Sequence, residues 1–135
     1  MVDVMPRVRD FMDKSFITLT PEMDVYRAID IMLKGGITGA AVVDAKEHLV
    51  GVLSEKDCLR TLVHDAYSLL PSGKVSDFMT ERPVTIYADL DIFTVADKFI
   101  HSTFRRLLVV DEDNRLIGQI TRRDLLRSIQ KMHEG

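Results

Sequence analysis

Two stretches of this 135-residue chain set a hydroxyl and a carboxylate at the same spacing: Ser54-Glu55-Lys56-Asp57 and Thr121-Arg122-Arg123-Asp124. In each, the hydroxyl residue closes a short apolar run that predicts a strand, and the aspartate falls in the first turn of a predicted helix. A helix start offers free N–H groups and partial positive charge, so a hydroxyl there can bond a phosphate oxygen. An aspartate beside a phosphate would be repelled. Aimed at the two hydroxyls of a ribose it accepts two hydrogen bonds instead, a use that dinucleotide-binding folds also make of an acidic residue. The same spacing reads equally as a capping box, with the hydroxyl on the third helical N–H and the carboxylate reaching back. Aspartate is short for that reach, and Glu or Gln is the usual choice. Two arginine pairs, Arg105-Arg106 and Arg122-Arg123, offer bidentate bonds to phosphate or simply stand as solvated charge.

Other chemistries lack their residues. There is no Gly-x-x-x-x-Gly-Lys-Ser/Thr phosphate loop, no Gly-x-Gly-x-x-Gly fingerprint and no Gly-x-Ser-x-Gly elbow. His48, His64, His101 and His133 show no ligand spacing with each other or with Cys58, so no metal site is expected. Asp57 and Asp124 as an acid–base pair would need one shared cleft, and the symmetry described next separates them. No catalysis is expected.

The elements that must position these residues come twice. At an offset of 67, residues 8–60 align with 75–127 without a gap, and 15 of the 53 positions are identical. Val8-Arg9-Asp10-Phe11-Met12 falls on Val75-Ser76-Asp77-Phe78-Met79, Val42-Val43-Asp44 on Val109-Val110-Asp111, and Gly51 on Gly118. Each copy predicts a short helical turn (8–12; 75–79), an extended piece (17–19; 84–86) and a helix with apolar spacing at Val25, Ala28, Ile29, Met32 and at Ile92, Val95, Ala96, Phe99. Asp24 and Asp91 stand at the N-cap positions, and Gly35-Gly36 supplies a C-terminal stop. A hairpin follows (40–43 with 49–53; 107–110 with 116–120), its first strand apolar enough to be buried on both faces, and then a closing helix (55–63; 122–132). The fold class is thus α/β, more narrowly α+β: repeat 1 over 8–63, a linker over 64–74 containing Pro71-Ser72-Gly73, and repeat 2 over 75–132. Each is a β-α-β-β-α unit too small to be stable alone, so the two are expected to pack as a pseudo-twofold pair.

This order of elements resembles the CBS-domain family, named for cystathionine beta-synthase. It carries Gly51-Val52-Leu53-Ser54-Glu55-Lys56-Asp57 and Gly118-Gln119-Ile120-Thr121-Arg122-Arg123-Asp124, with Gln119 departing from the apolar preference at its position. Two such repeats resemble a Bateman module. The resemblance implies a regulatory or sensor module that binds AMP, ADP, ATP or S-adenosylmethionine between its repeats. It also implies sites built from both repeats. In the preferred cleft Met12, Ile17, Ile37 and Thr38 would join Arg106, Ile120, Thr121 and Asp124. In the second, Met79, Val84, Phe104 and Arg105 would join Leu53, Ser54 and Asp57. Ile17 and Val84 would hold the adenine by apolar contact, or else serve as plain core. The Asp124 cleft ranks first because it has a threonine and its own arginine, where repeat 1 has Gly39.

Composition sets the remaining bounds. Net charge is −3, which disfavours nucleic acid as a partner, although the four arginines keep that reading in view. No apolar run approaches a membrane span, and the N-terminus lacks a signal-peptide pattern, so a cytoplasmic protein is expected. Cys58, the single cysteine, excludes an internal disulfide and reads as a small buried hydrophobe. The competing class of function is a ligand-free interaction scaffold for an unknown regulated protein. In it a homodimer would form through an apolar face of Phe78, Met79, Phe93, Phe99 and Phe104.

Overall fold

The computed structural model describes residues 5–67 and 73–134, with the backbone alone over 64–67. The middle of the expected linker, including Pro71 and Ser72, lies outside the described residues. The elements run α1 (Val8–Phe11), β1 (Thr18–Leu19), α2 (Val25–Gly35), β2 (Gly39–Val43), β3 (Leu49–Ser54), α3 (Glu55–Tyr67), and then α4 (Val75–Phe78), β4 (Thr85–Tyr87), α5 (Ile92–Ile100), β5 (Arg106–Val110), β6 (Leu116–Thr121) and α6 (Arg122–Glu134). The α+β repeat expected from the sequence is present twice.

Each repeat supplies one three-stranded sheet, ordered β1-β2-β3 or β4-β5-β6. The outer strand is parallel to the middle one and the hairpin strands are antiparallel. The middle strands are buried almost throughout, as their unbroken apolar runs require; only Arg106, the first residue of β5, is half-buried. The last strands alternate between buried and half-buried positions, the signature of one face against a core. Both hairpins are closed by an aspartate. Asp44 Oδ1 accepts from the N–H groups of Lys46 and His48, and Asp111 Oδ1 from those of Asp113 and Arg115.

Helix caps follow the local chemistry unevenly. Asp91 accepts the N–H of Thr94, and that bond holds its carboxyl below the usual range. Asp24 occupies the matching position without a side-chain cap bond. Gly36 ends α2 at φ 63°, the left-handed conformation that a glycine adopts without steric penalty. Cys58 is half-buried rather than fully buried, and burial pushes its thiol pKa up.

The chain forms two compact units whose boundaries differ from those of the contiguous repeats at the short helices. The first unit is Ile17–Pro83; the second joins the N-terminal segment ending at Phe16 to everything from Val84 onward. Thus α1 packs with the second repeat's sheet and helices, and α4 with the first's. The shared motif Val-x-Asp-Phe-Met explains how. Val8 and Val75 are wholly buried in the cores of the second and first unit respectively. Asp10 and Asp77 reach back to the N–H of Arg7 and Lys74. Met12 and Met79 lie against Gly118 and Gly51, where an added Cβ would come within 2.6 Å of each methionine sulfur. The motif glycines therefore make room for the crossing segment. Just after it, Asp13 exchanges two backbone bonds with Gln119, and Thr80 does so with Val52. Gln119 is tolerated despite its polarity because it lies on the half-buried face of β6.

The first core gathers Leu19, Val25, Ala28, Met32, Val42, Leu53 and Val75. The second gathers Val8, Ile86, Ile92, Val95, Phe99, Leu107, Val109 and Ile120. The expected apolar face of phenylalanines is corrected here. Phe99 is buried, and Phe78, Met79 and Phe104 pack half-buried against the cores, because their helices and strands turn them inward; only Phe93 of that set is exposed. Among the exposed apolar side chains are Leu33, Leu59 and Leu62 in the first unit and their repeat partners Ile100, Leu126 and Ile129 in the second.

Candidate functional site

At one end of each sheet the middle strand begins and the last strand ends. There Gly39 pairs with Ser54 in the first unit, and Arg106 pairs with Thr121 in the second. The last strand passes straight into its helix, so Ser54 and Thr121 are at once the end of a strand and the start of α3 or α6. The aspartate three residues on lies almost out of solvent: Asp57 is 3% exposed and Asp124 5%.

Both aspartates make the full reciprocal capping box. Asp57 Oδ2 accepts the N–H and the hydroxyl of Ser54, each at 2.9 Å, and Ser54 Oγ accepts the N–H of Asp57 at 3.1 Å. Asp124 Oδ2 accepts the N–H of Thr121 at 2.8 Å and its hydroxyl at 2.9 Å, and Thr121 Oγ1 accepts the N–H of Asp124 at 3.3 Å. Aspartate is long enough after all. Asp10 and Asp77 make the same reach at the short helices.

The second oxygen of each carboxylate faces an arginine one turn on. Arg60 donates to Asp57 Oδ1 at 2.9 Å, and Arg127 to Asp124 Oδ1 at 2.6 Å. Both guanidinium side chains are largely exposed. The sequence reading missed these two residues. Their signal was an identical Asp-x-x-Arg at helical i,i+3 spacing in both repeats. It also missed Thr80, whose hydroxyl sits at 3.4 Å from both oxygens of Asp57. Asp13 holds the matching position in the second unit and uses its carboxylate on the N–H of Ser15. A carboxylate has about four lone-pair sites, so each Oδ1 retains capacity beside a solvent-exposed arginine.

The remaining site residues sort by unit. Ile17, Ile37 and Thr38, expected in the Asp124 cleft, belong to the unit that carries Asp57. Val84, Phe104 and Arg105, expected in the Asp57 cleft, belong to the unit that carries Asp124. Met12 shares a unit with Asp124 and Met79 with Asp57, in keeping with the crossing of the short helices. Within the first unit, Ile17 lies close over Gly35, where an added Cβ would come within 2.7 Å of its side chain, and the N–H of Glu55 donates to the Thr38 carbonyl. Leu53 and Ile120 have no exposed surface and serve the cores; their places next to the hydroxyl residues leave only backbone for a ligand. Ile17 and Val84 are not core. They stand at the start of the outer strands 38% and 47% exposed. Their apolar surface is available, as contact with an adenine ring requires.

A cavity of about 350 Å³ lies between α2 and α3, lined by Ile29, Met32, Ile37 and Cys58 among others, and a second of about 450 Å³ lies at the hairpin end of the second unit. Neither is lined by Asp57 or Asp124. No cluster of metal-ligating side chains occurs among the described residues. His48 pairs with Asp44 and His101 with Asp97, while the side chain of His64 lies outside the described set.

Comparison with known proteins places this geometry. The CBS domain profile matches residues 8–64 and again 75–131. The inosine-5'-monophosphate dehydrogenase of Methanocaldococcus jannaschii is 32% identical over 126 residues, which are 93% of this chain; the chain spans only 24% of that enzyme's length. The CBS-pair protein CBSX2 from Arabidopsis thaliana is 28% identical with a TM-score of 0.84, over 98% of this chain and 99% of that one. CBSX2 has also been solved in complex with AMP, at 29% identity and a TM-score of 0.83, over 94% and 98% of the two chains. The CBS domain pair of protein MJ0100, solved with 5'-methylthioadenosine and S-adenosyl-L-methionine, is 25% identical with a TM-score of 0.75, over 92% and 99%.

Proposed function

The chain belongs to the CBS domain family, and on that premise we propose that it is a regulatory module that binds an adenosyl ligand and catalyses nothing itself. One observation carries the reading. Each unit holds a buried aspartate at a helix start, and the same unit opens its outer strand with an exposed apolar residue, Ile17 or Val84. A ribose diol could replace the exposed arginine at Oδ1 of Asp57 or Asp124 while Oδ2 keeps the capping box. Surface ion pairs contribute little, so displacing Arg60 or Arg127 costs about 1 kcal/mol or less. The AMP bound to CBSX2 and the adenosyl ligands bound to the MJ0100 pair support the same ligand class here.

The test is a melting series with AMP, ADP, ATP, S-adenosylmethionine and 5'-methylthioadenosine. A ligand at ten times its dissociation constant adds about 1.4 kcal/mol of stability. A rise in melting temperature with at least one of them is expected. No rise with any of them at about millimolar concentration would remove the adenosyl reading.

The exposed apolar residues favour a second property. Leu33, Leu59 and Leu62, repeated as Ile100, Leu126 and Ile129, give each unit an uncovered helix face, and self-association as a homodimer would cover it. Sedimentation at micromolar concentration should find twice the chain mass, and Leu59→Glu together with Leu126→Glu should return it to one; a monomeric parent would refute the homodimer. The regulated partner would be a further protein. No described helix is long and apolar enough to cross a membrane.

A further inference from the structure

We propose that the corner around Thr121 selects a polyphosphorylated adenosine over neutral or cationic adenosyl compounds; this rests on the adenosyl reading above and narrows it. The ground is a charge difference between two corners of the same fold. In the first unit the rung is Gly39 with Ser54, flanked by Thr38 and Glu55, with Lys56 next. Its formal charges cancel. In the second unit the rung is Arg106 with Thr121, flanked by Arg105 and Arg122, with Arg123 next. Four arginines replace a threonine, a glycine, a glutamate and a lysine.

Folding does not ask for this charge. The first unit forms the same strand order and the same capping box without it. It also opposes local electrostatics. The positive end of a helix favours acidic residues, as Glu55 supplies at α3, whereas α6 opens on Arg122 and Arg123. Asp124 is the one acid in that first turn, and its carboxylate is already bonded to Thr121 and Arg127. Arg106 is half-buried, and burial together with the charge of Arg105 lowers its pKa. Three of the four guanidinium side chains, those of Arg105, Arg122 and Arg123, belong to exposed residues and can turn toward a ligand. A multiply charged anion answers the crowded charge of the exposed arginines through bidentate bonds. A sulfonium would add to that charge, and a thioether would leave it unanswered.

Calorimetric titration with adenosine, 5'-methylthioadenosine, S-adenosylmethionine, AMP and ATP at two salt concentrations tests this, with a random single-stranded RNA as competitor. ATP is expected to bind at least about tenfold more tightly than adenosine, with the margin shrinking as salt rises. Arg106→Gly and Arg122→Glu install the first corner's residues and should remove most of that margin. Arg122→Glu should also raise the melting temperature of the unliganded protein, because it restores an acid at the helix start. Adenosine or methylthioadenosine binding as tightly as ATP would overturn the inference while leaving the adenosyl reading standing. So would variants that keep the full margin, or RNA that displaces ATP at equal phosphate concentration, which would assign the arginines to nucleic acid. Absence of binding by every adenosyl compound would remove both.

Discussion

A chain that begins at Lys14 is expected to lose stability in its second unit, although the deletion touches only the first repeat's sequence. Val8 is fully buried in the second core, beside Phe99, Leu107, Ile120 and Leu125. The N–H groups of Val8 and Arg9 donate to the carbonyls of Leu90 and Ala88, and Asp13 exchanges two bonds with Gln119. Deleting the segment removes the burial of Val8, about 2 kcal/mol, together with these backbone bonds, and uncovers the core beneath, so a loss of on the order of 2 kcal/mol is expected. Hydrogen exchange should show β5 and β6 losing protection while β2 and β3 keep theirs. Protection lost first from β2 and β3 would contradict the assignment of α1 to the second unit.

Asp124→Ala should lower stability by about 3 kcal/mol, and Asp57→Ala by a similar amount, in urea unfolding without any ligand. Each substitution removes a buried acceptor from a backbone N–H and a hydroxyl at a helix start. The arginine contact adds little, because the guanidinium is exposed; Arg127→Ala should therefore change stability by no more than about 0.5 kcal/mol. Losses below about 1 kcal/mol for both aspartates would show that the capping box contributes little. The result bears on ligand binding as well. Loss of affinity in Asp124→Ala is interpretable only beside its unfolding curve, and Asp124→Asn, which keeps one carbonyl acceptor, is the better binding probe.

The elements and the two hydroxyl–aspartate corners were legible because local rules and repetition agreed. Unbroken apolar runs specify the buried middle strands, and a constant offset of 67 fixes which residues are equivalent. The exchange of short helices was not legible. Val8-Arg9-Asp10-Phe11-Met12 and Val75-Ser76-Asp77-Phe78-Met79 are so alike that periodicity gives no preference for either core. The capping box was discounted because aspartate was taken as too short for the reach-back, which Asp57, Asp124, Asp10 and Asp77 all make. Phe99 was legible on the apolar stripe of α5 with Ile92 and Val95, and that placement conflicts with its use in an exposed self-complementary face. Arg60 and Arg127 were visible as a repeated Asp-x-x-Arg, to which no role was given.

The most direct measurement is a nuclear magnetic resonance titration of the isotopically labelled chain with AMP, following backbone amides. Binding as described predicts saturable shifts at Ser54 to Asp57 or Thr121 to Asp124, together with Ile17 or Val84, while the hairpin turns at Asp44 and Asp111 stay unmoved. Spectra unchanged at millimolar AMP and ATP, or shifts confined to the exposed faces of α3 and α6, would contradict it.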